Sequence, residues 1–292
     1  MNSKSQNWIL ASRPKTLLAS IVPVMVGSAV AFNEGKLIPL YSLIAIICSV
    51  LLQIGANFTN DLYDHLKGAG TNKRKGPKRV LASGIISVNE MRKGILIVFA
   101  AAFIFGLILV YFEGPVILAI GIISILAGLA YTAGPYPLAY RGLGDIFVFM
   151  FFGIIGTVGT YYLHTNNLSL VSFIASIPVG SLITNILVVN NYRDFEEDKA
   201  AGKFTLAVKL GKTFTRYQFL FLLVLSFFIP AVLFLFLNFS FLIFLPYLTL
   251  PAAFKIIMML YKLEGTQLNT TLELTAKLSA LYGLLFSAGI IL

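Results

Sequence analysis

Asparagine and aspartate recur in two short segments, NFTNDLYD at 57–64 and NNYRDFEED at 190–198, each closing a long apolar run. Together they hold Asp61, Asp64, Asp194, Glu196, Glu197 and Asp198, six of the 12 acidic residues in a chain of 292. An acid at a membrane boundary is costly and is retained where it serves an ion or a substrate. At about 100° per residue, Asn57, Asp61 and Asp64 share one helix face, and so do Asn190, Asp194 and Asp198. Each face offers one amide oxygen and two carboxylates. Mg²⁺ takes hard oxygen ligands, commonly one or two carboxylates completed by substrate phosphate. Two such faces could therefore hold two ions bridged by a diphosphate. Helix-end acids paired with neighbouring Lys and Arg would explain either segment alone. That reading accounts less well for two segments with Asn at the same offset.

A diphosphate also needs cations. The stretch after the first motif supplies Lys73, Arg74, Lys75, Lys78 and Arg79, and the one after the second supplies Lys199, Lys203 and Lys209, with Arg193 inside the motif itself. Arginine suits bidentate phosphate contacts and lysine supplies a point charge. Arg79 and Lys203 are the favoured contacts, because RVLASG and GKFTLA read as ordered turns entering further structure. A third segment, YTAGPYPLAYRGLGD at 131–145, is broken by Gly and Pro. It brings Tyr131, Tyr140, Arg141 and Asp145 to the same membrane side, as SRPKT brings Arg13 and Lys15. His65 and His164 fall beyond opposite faces, so they form no common site, and His164 reads as a loop residue.

The elements that position these groups follow from composition. With 58% hydrophobic residues, 12% charged and a mean hydropathy of +0.88, the chain reads as an all-α polytopic membrane protein with a lipid-bilayer partner. Apolar runs near 16–33, 39–60, 94–112, 115–133, 144–163, 168–191, 217–237, 239–260 and 273–291 predict nine transmembrane helices. The first 15 residues are polar and basic and show no cleavable signal. Placing the N-terminus in the cytoplasm puts nearly all Lys and Arg inside, with Lys36 outside. That accounts for the net charge of +10 without a nucleic-acid partner. The lone Cys48 excludes an intramolecular disulfide and a thiolate metal cluster. The order helix, Asn/Asp motif, basic loop, helix occurs twice, which reads as two pseudo-repeated half-sites facing one cavity. Nothing suggests a second domain, so residues 1–292 read as one transmembrane unit.

NxxNDxxD, NNxRDxxxDxxxGKxT, the RPKT near the N-terminus and LASGxIS at 81–87 resemble the UbiA superfamily of intramembrane prenyltransferases over nearly the whole chain. GPYPLAYRGLGD and the paired Asn190–Asn191 most resemble its menaquinone branch, the 1,4-dihydroxy-2-naphthoate polyprenyltransferases. The resemblance implies nine helices around a central cavity. It implies that Asn57, Asp61, Asp64, Asn190, Asp194 and Asp198 bind Mg²⁺ and a polyprenyl diphosphate, with the four aspartates as the catalytic set. It further implies an acceptor site with Arg13 on the naphthoate carboxylate and Tyr131 or Tyr140 positioning ring or diphosphate. The expected location is the cell (inner) membrane, with the active-site loops cytoplasmic. Another acceptor, such as 4-hydroxybenzoate, is the nearest alternative. An ion-coupled transporter is the alternative of a different class, but it would favour acids near the bilayer midplane.

Overall fold

Prolines and glycines set where the helices begin. Pro14, Pro39 and Pro115 each sit in a first turn, where the missing N–H costs nothing and the fixed φ favours the helix. Ser87 starts another through a capping box, its hydroxyl accepting from the Glu90 amide while the Glu90 carboxylate accepts from the Ser87 amide. The computed structural model describes residues 4–68, 75–76 and 79–292, apart from the Lys15 side chain. Regular structure among them is helical throughout.

In chain order the helices are α1 (Lys4–Ser12), α2 (Pro14–Asn33), α3 (Pro39–Leu66), α4 (Val88–Glu113) and α5 (Pro115–Ala130). There follow α6 (Gly144–Val148), a π-helical stretch (Phe149–Ile155) and α7 (Gly156–Thr165), which together make one span. The chain continues through α8 (Leu170–Arg193), α9 (Phe195–Ala200) and α10 (Leu206–Leu237). A 3₁₀ segment (Phe241–Thr249) running into α11 (Leu250–Lys262), and finally α12 (Leu268–Ile291), complete the fold.

Eight helical stretches among the described residues are long and apolar enough to cross a membrane, so this is a multi-pass membrane protein. The ninth predicted run forms α5, whose 16 residues reach about 24 Å at the α-helical rise. That falls short of a typical hydrocarbon core of about 30 Å. The run expected at 217–237 is extended backwards by the polar stretch from Leu206, and Gly211 (φ 86°, ψ 166°) interrupts it.

Helix α8 lies innermost, packed by α2, α10, α12 and the π-helical stretch. The main core is Val22, Val26, Val179, Leu182, Phe219, Tyr282 and Phe286 with their neighbours. Where the π-helical stretch crosses α8, Gly153 meets Gly180 backbone to backbone. A Cβ on Gly153 would lie 2.8 Å from the Gly180 Cα, so the crossing requires the small residue. Helices α2, α3, α4, α5, α7 and α8 surround a cavity of about 900 Å³.

Candidate active site

The first motif occupies the last turns of α3. Asn57, Asp61 and Asp64 are all buried and all line the cavity, as their i, i+4, i+7 spacing requires. Arg79 reaches this face from the chain after α3. Its guanidinium pairs with Asp64, lies 3.9 Å from Asp61, and donates to the Asn60 carbonyl at 3.1 Å. Tyr140 donates its hydroxyl to Asp64 at 2.7 Å. The Asn57 amide donates to the Ser12 carbonyl at 2.9 Å, tying the motif to the hinge where Arg13, at φ 55°, joins α1 to α2. Arg13 itself lines the cavity.

The second motif departs from the expected single helix. Helix α8 ends at Arg193, Asp194 caps it, and α9 begins at Phe195. The helical spacing survives the break, because the Asp194 amide still donates to Asn190 O (3.0 Å) and the Asp198 amide to Asp194 O (2.8 Å). Arg193 clamps Asp194 through two bonds of 2.6 and 2.8 Å and donates to Asn190 Oδ1 at 2.8 Å. Lys203 pairs with Asp198 at 3.4 Å and lies over the Tyr140 ring at 5.8 Å. Asn190, Arg193 and Lys203 line the same cavity as the first motif. Thus Lys203 and Tyr140 together join Asp198 to Asp64, across 134 positions of sequence.

Burial pushes the Asp198 carboxyl up to about 6, outweighing the lowering effect of Lys203. Burial also raises the phenols of Tyr131 and Tyr140 well above their usual range, reinforced by Asp145 and Asp64 at Tyr131 and by Asp64 at Tyr140. Both therefore favour the protonated form, and Tyr140 uses it to donate to Asp64. Two buried carboxylate oxygens, Asp61 Oδ1 and Asp198 Oδ2, make no hydrogen bond. Such oxygens fit a hard divalent cation. Among the described residues no three acidic, His or Cys side chains gather into a closed cage. A cation held here would complete its shell from ligand oxygens or water, as Mg²⁺ commonly does.

Several predicted contacts lie elsewhere. Arg141 is exposed, stacked on Tyr136 at 4.8 Å, and its carbonyl accepts from Lys209. Asp145 is buried outside the cavity and accepts from Gln218 at 3.2 Å. Tyr140 serves Asp64, whereas Tyr131 lines the cavity. The Lys15 side chain and Lys73, Arg74 and Lys78 lie outside the described residues. His164 belongs to α7, not to a loop. It is buried, with Nδ1 accepting from the Ile38 amide and Nε2 facing Ser28 and Ser42.

Three contributors escaped sequence reading. Gln53 lies one turn before Asn57 and donates to it at 3.5 Å. Thr132 holds Asn60 at 2.8 Å. Asn269, at the start of α12, accepts from Arg193 at 2.8 Å. The i, i+4 pair Asn269 and Glu273, both on the cavity, was the available signal for α12.

Beyond the motifs the cavity turns apolar, passing Leu52, Cys48 and Ala45 on α3 and Leu109 and Val110 on α4 toward Ile117 and Leu163. From Asp61 to Ala45 the depth along α3 is about 24 Å. On α4, Phe103 and Leu107 line the cavity yet remain 39% and 43% exposed, so the cavity wall there is also the outer surface of the bundle. A polar end bearing Asp61, Asp64, Arg79, Arg193 and Lys203, continued by a long apolar channel, suits an amphiphile with a charged head. Asp194 and Asp198 do not line the cavity but are buried behind it, held by Arg193 and Lys203.

Solved structures of similar fold include a UbiA homolog from Aeropyrum pernix K1 in its apo form. It matches with a TM-score of 0.70 at 16% identity, covering 94% of this chain and 96% of that one. A UbiA homolog from Archaeoglobus fulgidus bound to DMAPP and Mg²⁺ matches with a TM-score of 0.65 at 16% identity, covering 96% and 99%. By sequence, the 1,4-dihydroxy-2-naphthoate octaprenyltransferase of Haemophilus influenzae is 34% identical across 100% of this chain and 98% of its own length. The model of the UbiA prenyltransferase family matches residues 20–280, and the chain belongs to that family.

Proposed function

We propose that this prenyltransferase moves a polyprenyl group from polyprenyl diphosphate to 1,4-dihydroxy-2-naphthoate, with loss of carbon dioxide, to give the quinol form of demethylmenaquinone. The observation that carries the reaction class is a pair of buried carboxylate oxygens without hydrogen bonds, Asp61 Oδ1 on the polar end of an apolar channel and Asp198 Oδ2 behind it, beside the cavity-lining Lys203. The acceptor rests on the similarity to the naphthoate enzyme of H. influenzae, and the GPYPLAYRGLGD segment supports it. The basic loops support a location in the cell membrane with the N-terminus and the motif end cytoplasmic.

Asn57, Asp61, Asp64, Asn190, Asp194 and Asp198 would hold Mg²⁺ together with the diphosphate. When bound, the ion supplies Lewis-acid stabilisation of the oxygens on which negative charge grows. Arg79, Arg193 and Lys203 add fixed positive charge at the same place. The allylic C–O bond breaks with its electron pair leaving on diphosphate. The ring carbon that bears the carboxylate forms the new C–C bond to the allylic cation. The carboxylate then leaves as carbon dioxide and returns its bonding pair to the ring. Arg13 would orient the acceptor carboxylate, and Tyr131 would donate to a ring oxygen. The apolar channel takes the tail and keeps water from the cation.

The test supplies purified protein with Mg²⁺, polyprenyl diphosphate, and either dihydroxynaphthoate or 4-hydroxybenzoate. Naphthoate should be prenylated with release of diphosphate and carbon dioxide, and Asp61→Ala or Asp194→Ala should abolish turnover. Prenylation of hydroxybenzoate alone would overturn the acceptor, and full turnover in both variants would overturn the metal assignment.

A further inference from the structure

We infer that Asn269 is a positioning residue that acts through Arg193 to hold the second acidic motif in its ligand-binding geometry. The inference rests on the diphosphate reading of this cavity. Arg193 uses four of its five N–H groups: one from Nε and one from Nη2 to Asp194, another from Nη2 to Asn190, and one from Nη1 to Asn269 Oδ1. The first three bonds arise within one turn of chain. The fourth comes from α12, 76 positions away, and it prevents the guanidinium from turning about its own helix.

Asn269 is itself fixed at the other end of its amide. Its Nδ2 donates to the Lys75 carbonyl at 3.0 Å, and the Lys75 amide donates to Glu197 Oε1 at 2.7 Å. One side chain thus gathers α12, the chain following the first motif, and both sides of the helix break at Asp194. A carboxamide is required, because the site needs an acceptor toward Arg193 and a donor toward Lys75 on one planar group. Aspartate keeps the acceptor but loses the donor. Leucine keeps the approximate volume and loses both.

A planar fork held at all its corners presents Asn190 and Asp194 at fixed positions. Ligands fixed in this way require less ordering when a metal–diphosphate binds. Removing the bond to a charged group corresponds to a roughly 10- to 100-fold change in an equilibrium constant. For Asn269→Leu the change should appear as weaker diphosphate binding.

The experiment is a double-mutant cycle on the full-length protein in detergent, with Asn269→Leu, Arg193→Lys and the double variant. Calorimetry measures binding of inorganic diphosphate with Mg²⁺. Hydrogen exchange of the peptide containing Lys75 is followed without metal. The expected result is a loss of about 10-fold or more for Asn269→Leu, little further loss when it is added to Arg193→Lys, and faster exchange at Lys75. Asn269→Asp, which keeps the acceptor, should lose less affinity than Asn269→Leu while accelerating the same exchange. Additive losses in the cycle, or unchanged affinity in Asn269→Leu, would overturn the assignment. Absence of Mg²⁺-dependent diphosphate binding by the parent protein would instead remove the diphosphate reading, and the inference with it.

Discussion

The two acidic half-sites look alike in sequence but are held in opposite ways. The first is a rigid face on unbroken α3, and its counter-charge comes from a distance, through Arg79 and the Tyr140 hydroxyl. The second straddles a helix break, and its main counter-charge, Arg193, is the residue beside Asp194. One therefore has local order supplied by the backbone and neutrality supplied by tertiary structure. The other has neutrality supplied locally and order supplied by Asn269 and the continuing 5→1 hydrogen bonds. Similar acidic clusters can be assembled from different halves of the same requirement.

Four measurements would break or sharpen that contrast. The largest effect belongs to Arg79→Ala, which leaves Asp64 buried without its guanidinium. Breaking such a pair costs about 3–5 kcal/mol, and thermal unfolding in detergent should show the loss. Added Mg²⁺ should recover part of it, because the ion can neutralise the same carboxylates. A melting temperature unchanged by the substitution would mean that distant neutralisation is unimportant at the first half-site.

Next comes Tyr140→Phe. It removes a 2.7 Å bond to a carboxylate, for which losses of about 1.5–3 kcal/mol are usual. The loss should appear in unfolding of the metal-free protein. An unaltered unfolding curve would show that Arg79 alone suffices for Asp64.

The third concerns pH and sets the second half-site apart. Burial holds the Asp198 carboxyl near 6, above its ordinary value of 3.8. In the metal-free protein this group favours folding fully below about pH 4, and that contribution is lost as pH rises through about 6. Divalent-ion affinity runs the other way, strengthening as pH rises through about 6, because only the ionised carboxylate is a ligand. Titrating Mn²⁺ binding between pH 5 and 8 checks the sign. The step should vanish in Asp198→Asn, and its persistence there would assign it to another group.

The smallest effect is set by Arg141→Ala. This exposed side chain meets Tyr136 and lies away from the cavity, so stability should change by no more than about 0.5 kcal/mol. Turnover should stay near that of the parent. A large loss of turnover would bring Arg141 back among the substrate contacts.

Much of this was legible in the sequence because membrane helices satisfy their own backbone. Hydropathy placed each apolar run on a helix, although α3 continues to Leu66, α4 and α12 begin earlier at Val88 and Leu268, α5 is short for a span, and at α10 Gly211 joins a polar stretch to an apolar one. Face periodicity placed Asn57, Asp61 and Asp64 together because α3 is continuous there. It failed partly at Asp194, since no Gly or Pro marks that break, where the Asp194 amide ends α8 and its carboxylate is held by Arg193. Partners chosen by tertiary packing stayed hidden. Asp145 and Arg141 belong to the same Gly/Pro-rich segment as Tyr131, yet they turn to Gln218 and Tyr136. Asn269 offered only its i, i+4 spacing to Glu273, because its role exists only once α12 lies beside α8.

The chain's single thiol has a practical consequence. Cys48 lies midway along the apolar channel, with its sulfur directed to the Ala102 carbonyl at 3.7 Å. An alkylating label therefore modifies this protein at one cysteine, and on the proposed function that cysteine stands where the isoprenoid chain passes. Its rate of labelling becomes an internal gauge of occupancy, readable on the native protein without adding a probe or changing a residue.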